Sequence, residues 1–153
     1  MRVHDEHVPA ELYGLFIERM PQACVELVIE RPEGILLAKR TKEPAVGEWF
    51  WPGSRLYKGE RLADAAHRVA SDELGIGITL AERLGVYAHF WDTSDVEGRP
   101  SRHTVNVVFR ATPKTERPKI TLDEQHSDYR FLADLEPGLH EYVRRYIEDG
   151  DLL

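Results

Sequence analysis

Cysteine is nearly absent from this sequence, because Cys24 is the only one among 153 residues. A single thiol excludes an intramolecular disulfide and a zinc site built from several cysteines. Cys24 lies within an apolar strand pattern, so we predict a buried thiol rather than a nucleophile. We also find no signal peptide, apolar run of membrane-spanning length, internal repeat or low-complexity tract. We therefore expect no membrane partner, and the cytoplasm is the expected location.

Positive charge is also scarce, since 20 lysine and arginine residues stand against 27 aspartate and glutamate residues. The net charge of −7 and the pI near 5.5 argue against a nucleic-acid partner, because binding to a phosphate backbone relies on a basic surface. An acidic enzyme that acts on a diphosphate must therefore concentrate positive charge locally or use a metal ion. With 42% hydrophobic residues and no visible linker, the chain is predicted to form one domain over residues 1–153.

Helix and strand patterns interleave along the chain. A short amphipathic helix is predicted at about residues 9–20, where Pro9 suits a first turn and Pro21 ends the segment. Strands are predicted at 24–31, 35–37, 49–51, 80–90, 104–110 and 129–132, and a terminal helix at 140–147. The polar connection at 91–102 could cap a pocket. The pattern indicates an α/β fold with a mixed sheet between helices.

The segment 53–76 places glycines and acidic side chains at a predicted loop-to-helix junction. One apolar helix face is predicted from spacings of three and four, formed by Leu62, Ala65, Ala66, Val69, Ala70 and Leu74. The other side carries a charged row at i,i+4 spacing, formed by Glu60, Asp64, Arg68 and Asp72. Gly75 suits the helix end, since glycine adopts a left-handed conformation at little cost. An ordinary amphipathic surface helix would look similar, but the preceding Trp-Phe-Trp-Pro-Gly run predicts a buried strand whose end can turn a carbonyl toward a cation.

The spacing of polar residues in this segment resembles the Nudix box, GX5EX7REUXEEXGU. Counted from Ser54, the match runs through Glu60 and Arg68 to the pair Asp72-Glu73 and then Gly75. The resemblance implies the Nudix α/β/α sandwich with a central mixed sheet, in which this segment holds a divalent cation against a diphosphate. Ser54, Val69 and Asp72 depart from the box, where the family has one glycine and two glutamates. Because Val69 can neither bind metal nor accept a proton, we expect a group outside the box to supply the missing function.

A second resemblance, over most of residues 12–132, is to the GDP-mannose mannosyl hydrolase branch of the Nudix family. Its most specific part is the triplet Glu124-Gln125-His126 within the segment 123–130. The other matching positions are Lys39-Arg40-Thr41, Pro44-Ala45, Gly47, Trp49-Phe50, Pro52-Gly53, Arg55 and the segment 85–90. That branch also lacks the full box, and it breaks the C–O bond of the sugar rather than a P–O bond.

The second resemblance implies a metal site and a base. It makes the carbonyl of Gly53, the carboxylate of Glu73 and the amide oxygen of Gln125 ligands of Mg²⁺, with Mn²⁺ as an alternative. Asp72 could add a ligand that the branch lacks. His126 becomes the general base, which suits imidazole because its ordinary pKa is about 6.5. A lone histidine in a loop is otherwise a solvated surface residue.

The same resemblance implies substrate contacts. Arg40 and Arg55 match positions that stabilise the departing diphosphate, and arginine's planar fork suits phosphate oxygens, although a surface ion pair is the alternative. His89 and Glu26 correspond to substrate-pocket positions, where each could equally be structural. Thr104 stands where the branch has a tyrosine that reaches the diphosphate. Relatives also pair through their N-terminal regions, so a homodimer is expected.

Three functions stay open at this point. The first is Mg²⁺-dependent hydrolysis of a GDP-sugar to GDP and free sugar, with water attacking the anomeric carbon. The second is a Nudix pyrophosphatase that cleaves a P–O bond of another nucleoside diphosphate derivative or a triphosphate, against which Val69 counts. The third is a nucleotide-sugar binding module without catalysis, against which Glu73, Gln125 and His126 count.

Overall fold

The computed structural model describes all residues from Met1 to Leu153 and contains three α-helices and seven β-strands. The helices are α1 (Ala10–Arg19), α2 (Leu62–Leu74) and α3 (Glu141–Gly150). The strands are β1 (Gln22–Arg31), β2 (Gly34–Arg40), β3 (Trp49–Phe50), β4 (Gly53–Arg55), β5 (Ile78–Trp91), β6 (Arg102–Pro113) and β7 (His126–Leu132). None of the helices has both the length and the apolar character needed to cross a membrane.

The strands form one mixed sheet whose main order is β3-β2-β1-β6-β5. The central pair, β1 and β6, is parallel from Gln22↔Thr104 to Ile29↔Ala111, and its neighbours pair antiparallel. Two further strands extend the sheet, since β4 pairs with β1 and β7 pairs with β2. The predicted mixed sheet is confirmed.

The alternation of side chains along β1 divides the core between the two faces of the sheet. Val25, Leu27 and Ile29 pack with the apolar stripe of α2. Val28 points to the opposite face, where it packs with Val143 and other residues of α3. Helices thus cover both faces, which confirms the α/β/α sandwich expected from the sequence.

Helix α2 has a buried apolar stripe and a C-terminal glycine, both of which the sequence predicts. Its predicted stripe is buried, and Val69 at its centre is fully inaccessible to solvent. Gly75 closes the helix at φ 67°, where its N–H donates to the Ser71 carbonyl oxygen at 3.0 Å. A residue with a Cβ would be strained at that φ, so the predicted role of Gly75 is confirmed.

Several sequence-based boundaries need correction. The residues 53–55 were expected in a loop but form β4, because their backbone pairs with Cys24–Glu26 of β1. The last short strand was expected at Tyr129 but begins at His126, which pairs with Arg40 of β2 across a register shift. The loop position expected for His126 is therefore wrong, and its side chain is buried in the sheet. Glu60 lies before the first helical residue of α2, although it still forms an ion pair with Arg68 at 2.7 Å.

Candidate active site

A polar cavity of about 310 Å³ opens at one end of the sheet, on the face that α3 covers. Strand residues that share the side of Val28 line it, but here they are short or polar: Cys24, Glu26, Thr104 and Asn106. The apolar packing between the sheet and α3 therefore stops at this point and leaves a space. Burial raises the pKa of the Cys24 thiol to about 12, so the buried, unreactive thiol predicted from the sequence agrees with its surroundings.

Three arginines line the cavity and concentrate positive charge in this acidic chain. Arg40 is fixed by a hydrogen bond from its Nε to the Pro44 carbonyl oxygen at 2.6 Å. The Arg55 guanidinium lies over the ring of Tyr57, 4.5 Å from its centroid. Arg102 pairs with the Asp95 carboxylate at 3.3 Å, and its Nε donates to Gln22 Oε1 at 3.2 Å. It was not identified from the sequence, because Gln22 lies 80 positions away in the chain.

Two buried side chains that line the cavity, Glu26 and His89, meet a tyrosine from α3. The Tyr146 hydroxyl lies 2.6 Å from Glu26 Oε1 and 3.0 Å from His89 Nε2. Burial raises the pKa of the Glu26 carboxyl to about 7, opposed by the Tyr146 hydrogen bond and by Arg40. Burial also lowers the pKa of His89 to about 4, and His140 adds to the effect. His89 is therefore a neutral imidazole at physiological pH.

A second group of titratable side chains contacts the cavity wall at Gly53. The Gly53 N–H donates to Glu73 Oε1 at 3.3 Å, and His126 Nε2 lies 3.6 Å from the same oxygen. His126 Nδ1 lies 2.7 Å from Asp123 Oδ1, so a carboxylate orients the imidazole. Burial and the Asp123 carboxyl raise the pKa of Glu73 to about 8. Burial lowers the pKa of His126, while Asp123 opposes that change.

These residues fit a divalent cation. One ligand atom from each of Glu73, Asp123 and His126 lies within 4.8 Å of the others. The carboxylate oxygens of Glu73 and Asp123 suit Mg²⁺ and Mn²⁺, and the His126 imidazole lies beside them. The raised pKa of Glu73 points the same way, because a buried carboxylate is held ionised most readily by a bound cation. Gly53 and Gln125 line the adjoining cavity.

Asp72 does not join this group. Its side chain is 62% exposed and lies 3.9 Å from Arg68 on the outer side of α2. Neighbouring positions of an α-helix point about 100° apart, so Glu73 and Asp72 cannot both face the cavity wall. Val69 lies in the core between α2 and the sheet, so no carboxylate occupies that position of the box. Outside the box, the titratable side chains that lie next to Glu73 are Asp123 and His126.

The structure brings most of the predicted site residues together. Arg40, Arg55, Glu26, His89, Gly53 and Gln125 all line the one cavity. Glu73 and His126 do not line it, but Glu73 contacts its wall through the Gly53 amide. Asp123 and Tyr146 were missed as site residues. Asp123 lies three residues before His126, a spacing that could have indicated the pair, whereas Tyr146 gave no local signal.

The fold and the site together define a class of protein: an α/β/α sandwich in which a cluster of two carboxylates and a histidine adjoins an arginine-lined cavity. The NUDIX domain family matches residues 20–147, which is most of the chain. The chain therefore belongs to the Nudix family.

Two proteins with similar sequences have names that refer to nucleotide or glycan chemistry. The chain is 41% identical over 144 residues to the low-salt glycan biosynthesis protein Agl8 of Haloferax volcanii, a match that covers 94% of this chain and 91% of that protein. It is 31% identical over 97 residues to an ADP-ribose pyrophosphatase of Methanocaldococcus jannaschii, covering 63% of this chain and 53% of that protein.

Solved structures agree with the fold. A MutT NUDIX hydrolase from Burkholderia pseudomallei aligns with a TM-score of 0.65 at 28% identity, covering 86% of this chain and 98% of that one. A MutT protein from Methanosarcina mazei aligns with a TM-score of 0.68 at 20% identity, covering 87% and 95% of the two chains, and supports the fold alone.

Proposed function

We propose that this protein hydrolyses a GDP-sugar of the GDP-mannose type to GDP and free sugar, with water attacking the anomeric carbon. The observation that carries the proposal is the burial of Val69 in the core. The box therefore lacks one of the carboxylates that a P–O-cleaving Nudix enzyme uses, while Asp123 and His126 supply an oriented imidazole next to Glu73. The similarity to a glycan biosynthesis protein supports a sugar-linked substrate.

Glu73, Gly53 and Gln125 would hold the divalent cation, with Asp123 and His126 beside them. A bound Mg²⁺ or Mn²⁺ would supply positive charge that stabilises the diphosphate. The exposed position of Asp72 makes it an unsuitable further ligand in this conformation. The chain itself holds Glu73 in place, because the Gly53 amide donates to its carboxylate and α2 is packed against the core.

The reaction needs a base and a stabilised leaving group. In our proposal His126 removes a proton from water as the water oxygen bonds to the anomeric carbon. The bond from that carbon to the diphosphate oxygen breaks, and its electron pair leaves on GDP. Arg40 and Arg55 line the cavity and would bind the negative oxygens of the leaving group. Asp123 would hold His126 in one orientation and stabilise the imidazolium that forms.

Hydrolysis of GDP-mannose in ¹⁸O-labelled water tests the bond that breaks. We expect the label in the free sugar, as C–O cleavage requires. Label in a phosphate product would overturn the proposal and favour a pyrophosphatase, the second candidate, which the similarity to an ADP-ribose pyrophosphatase supports. Binding of GDP-mannose without any turnover in saturating Mg²⁺ or Mn²⁺ would favour the third hypothesis, a non-catalytic binding module.

We further propose a cytoplasmic homodimer. Helix α1 leaves three apolar side chains accessible on its surface, Leu12, Leu15 and Phe16, and Leu12 is 60% exposed. A second copy that covers this face would bury them, in keeping with the N-terminal pairing implied by the resemblance. Sedimentation of the wild type and of Leu12→Glu tests the dimer. A monomeric wild type at micromolar concentration would contradict it.

A further inference from the structure

The hydroxyl group of Tyr146, which lies on α3, contacts two side chains that line the cavity, Glu26 and His89. Tyr146 is fully buried in α3, yet its hydroxyl reaches Glu26 Oε1 at 2.6 Å and His89 Nε2 at 3.0 Å. Glu26 and His89 are themselves 5% and 2% exposed and line the cavity. The three residues come from β1, β5 and α3, so the contact ties the sheet to the helix at the site.

A tyrosine hydroxyl has one hydrogen, and the geometry indicates where it goes. A separation of 2.6 Å is typical of a hydroxyl that donates to an ionised carboxylate, so Tyr146 donates to Glu26. Burial and the Glu26 carboxyl raise the pKa of Tyr146, which keeps the hydroxyl protonated. The Tyr146 oxygen can then only accept from His89, which requires the hydrogen on Nε2. The Nδ1 of His89 therefore carries a free lone pair.

The surroundings of His89 prevent the imidazole from turning to another arrangement. Its ring stacks on Tyr142 with centroids 3.9 Å apart and an interplanar angle of 3°. Phe50 meets the same ring edge to face at 6.2 Å. With the ring held by packing and Nε2 bound to Tyr146, His89 can offer a ligand only Nδ1, which makes no other hydrogen bond in the structure.

We propose that Tyr146 is a positioning residue that fixes His89 Nδ1 and the outer oxygen of Glu26 as paired hydrogen-bond acceptors for the hydroxyl groups of a glycosyl unit. This inference rests on the proposed function. The charges that line the cavity support it, since an ionised Glu26 repels phosphate oxygens, whereas Arg40 and Arg55 attract them. The uncharged glycosyl unit of a nucleotide sugar, whose hydroxyl groups donate hydrogen bonds, is therefore the part that suits Glu26 and His89.

The tautomer of His89 gives a readout that does not depend on turnover. Protein labelled with ¹⁵N-histidine would be examined by NMR at about pH 8.5, where Glu26 is ionised. The His89→Gln variant identifies its signal among those of the seven histidines. We expect the Nε2–H form in the wild type and a mixture of tautomers in Tyr146→Phe. The same tautomer in both proteins would overturn the positioning role.

Ligand specificity tests the other half of the inference. Adding GDP-mannose should shift the His89 Nδ1 signal, whereas adding GDP should not. In Tyr146→Phe the KM for GDP-mannose should rise about 10-fold while the inhibition constant of GDP stays unchanged. An equal loss for both ligands would overturn recognition of the glycosyl unit.

Tyr87→Phe is the matched control. It removes a hydroxyl that donates to the Asp149 carboxylate at 2.9 Å, and Tyr87 does not line the polar cavity. It should leave the His89 tautomer, the KM and the GDP inhibition constant at wild-type values. If the wild type hydrolyses no GDP-sugar, the proposed function fails, while the NMR comparison still decides the role of Tyr146.

Discussion

The Glu73 carboxyl should make the metal-free protein less stable as the pH rises. Its pKa is about 8 in the folded chain, against an ordinary value of 4.5. When the pKa of a carboxyl is higher in the folded than in the unfolded state, the group costs no stability at a pH below both values, because it is protonated in both states. The loss begins as the pH rises through 4.5 and is complete above about 8. Each pKa unit corresponds to about 1.4 kcal/mol, so the full effect has an upper bound of about 5 kcal/mol.

Replacing Glu73 with glutamine should therefore stabilise the protein in chelator at alkaline pH. The amide oxygen of glutamine can still accept from the Gly53 N–H, so the change removes the charge and keeps the hydrogen bond. For a chain of this length we expect the Tm to rise by about 10 °C at alkaline pH and to change little near pH 5. Thermal unfolding followed by circular dichroism at both pH values measures the difference.

A control variant and the addition of metal separate the charge of Glu73 from other effects. Asp72→Asn makes the same change in net charge on the same helix, but that side chain is 62% exposed, so its Tm should stay at the wild-type value at both pH values. In excess Mn²⁺ the difference in Tm should shrink by about half, because only the wild type gains stability from a bound cation, by about 2.7 kcal/mol at 100 times the Kd against an upper bound of about 5 kcal/mol for the Glu73 effect. A Glu73→Gln variant no more stable than the wild type in alkaline chelator would refute the reasoning.

Three further predictions concern single side chains. His126→Gln should lower kcat by about 10²–10⁴-fold with little change in metal affinity. The wild-type rate should rise with pH through an apparent pKa below 6.5, because burial lowers the pKa of His126, and the variant should lack this rise. An unchanged kcat and pH profile would mean that another residue is the base. Arg40→Ala should lower kcat more than it raises KM, since charge on the leaving diphosphate develops in the transition state, and a change confined to KM would make Arg40 a ground-state binding residue. Gly75→Ala should destabilise the fold by about 1 kcal/mol in denaturant unfolding, because φ is 67° there, and an unchanged midpoint would contradict this.

The sequence was informative where local patterns decide the structure. The apolar spacing of α2 and the left-handed glycine after it depend on near neighbours, and both are present as predicted. Strand β4 was missed because three residues carry too little alternation to be recognised, and their conformation depends on pairing with β1. His126 was placed in a loop for the same reason, since pairing with Arg40 of β2 extends its strand.

Site residues divide in the same way. Gly53, Gln125, Arg40 and Arg55 were predicted through a resemblance to a known spacing, and they line one cavity. Tyr146 could not be predicted, because it reaches Glu26 across 120 positions of the chain and its place on an amphipathic helix looks like an ordinary core position.

The parallel pairing of β1 with β6 also affects the order in which the molecule can fold. The first pair in that register, Gln22↔Thr104, joins residues far apart in the chain, and the closing of so long a loop slows folding. The hairpin of β1 and β2 and helix α2 need no such closure and can form earlier. Docking of α3 brings the Tyr146 hydroxyl to Glu26 and His89 and stacks Tyr146 on Trp51 at 5.4 Å. In refolding experiments, tryptophan fluorescence should therefore reach its native value after most far-ultraviolet ellipticity has returned, and coincident traces would contradict this order. The cavity, which Thr104 and Asn106 of β6 help to line, should then become native late in folding.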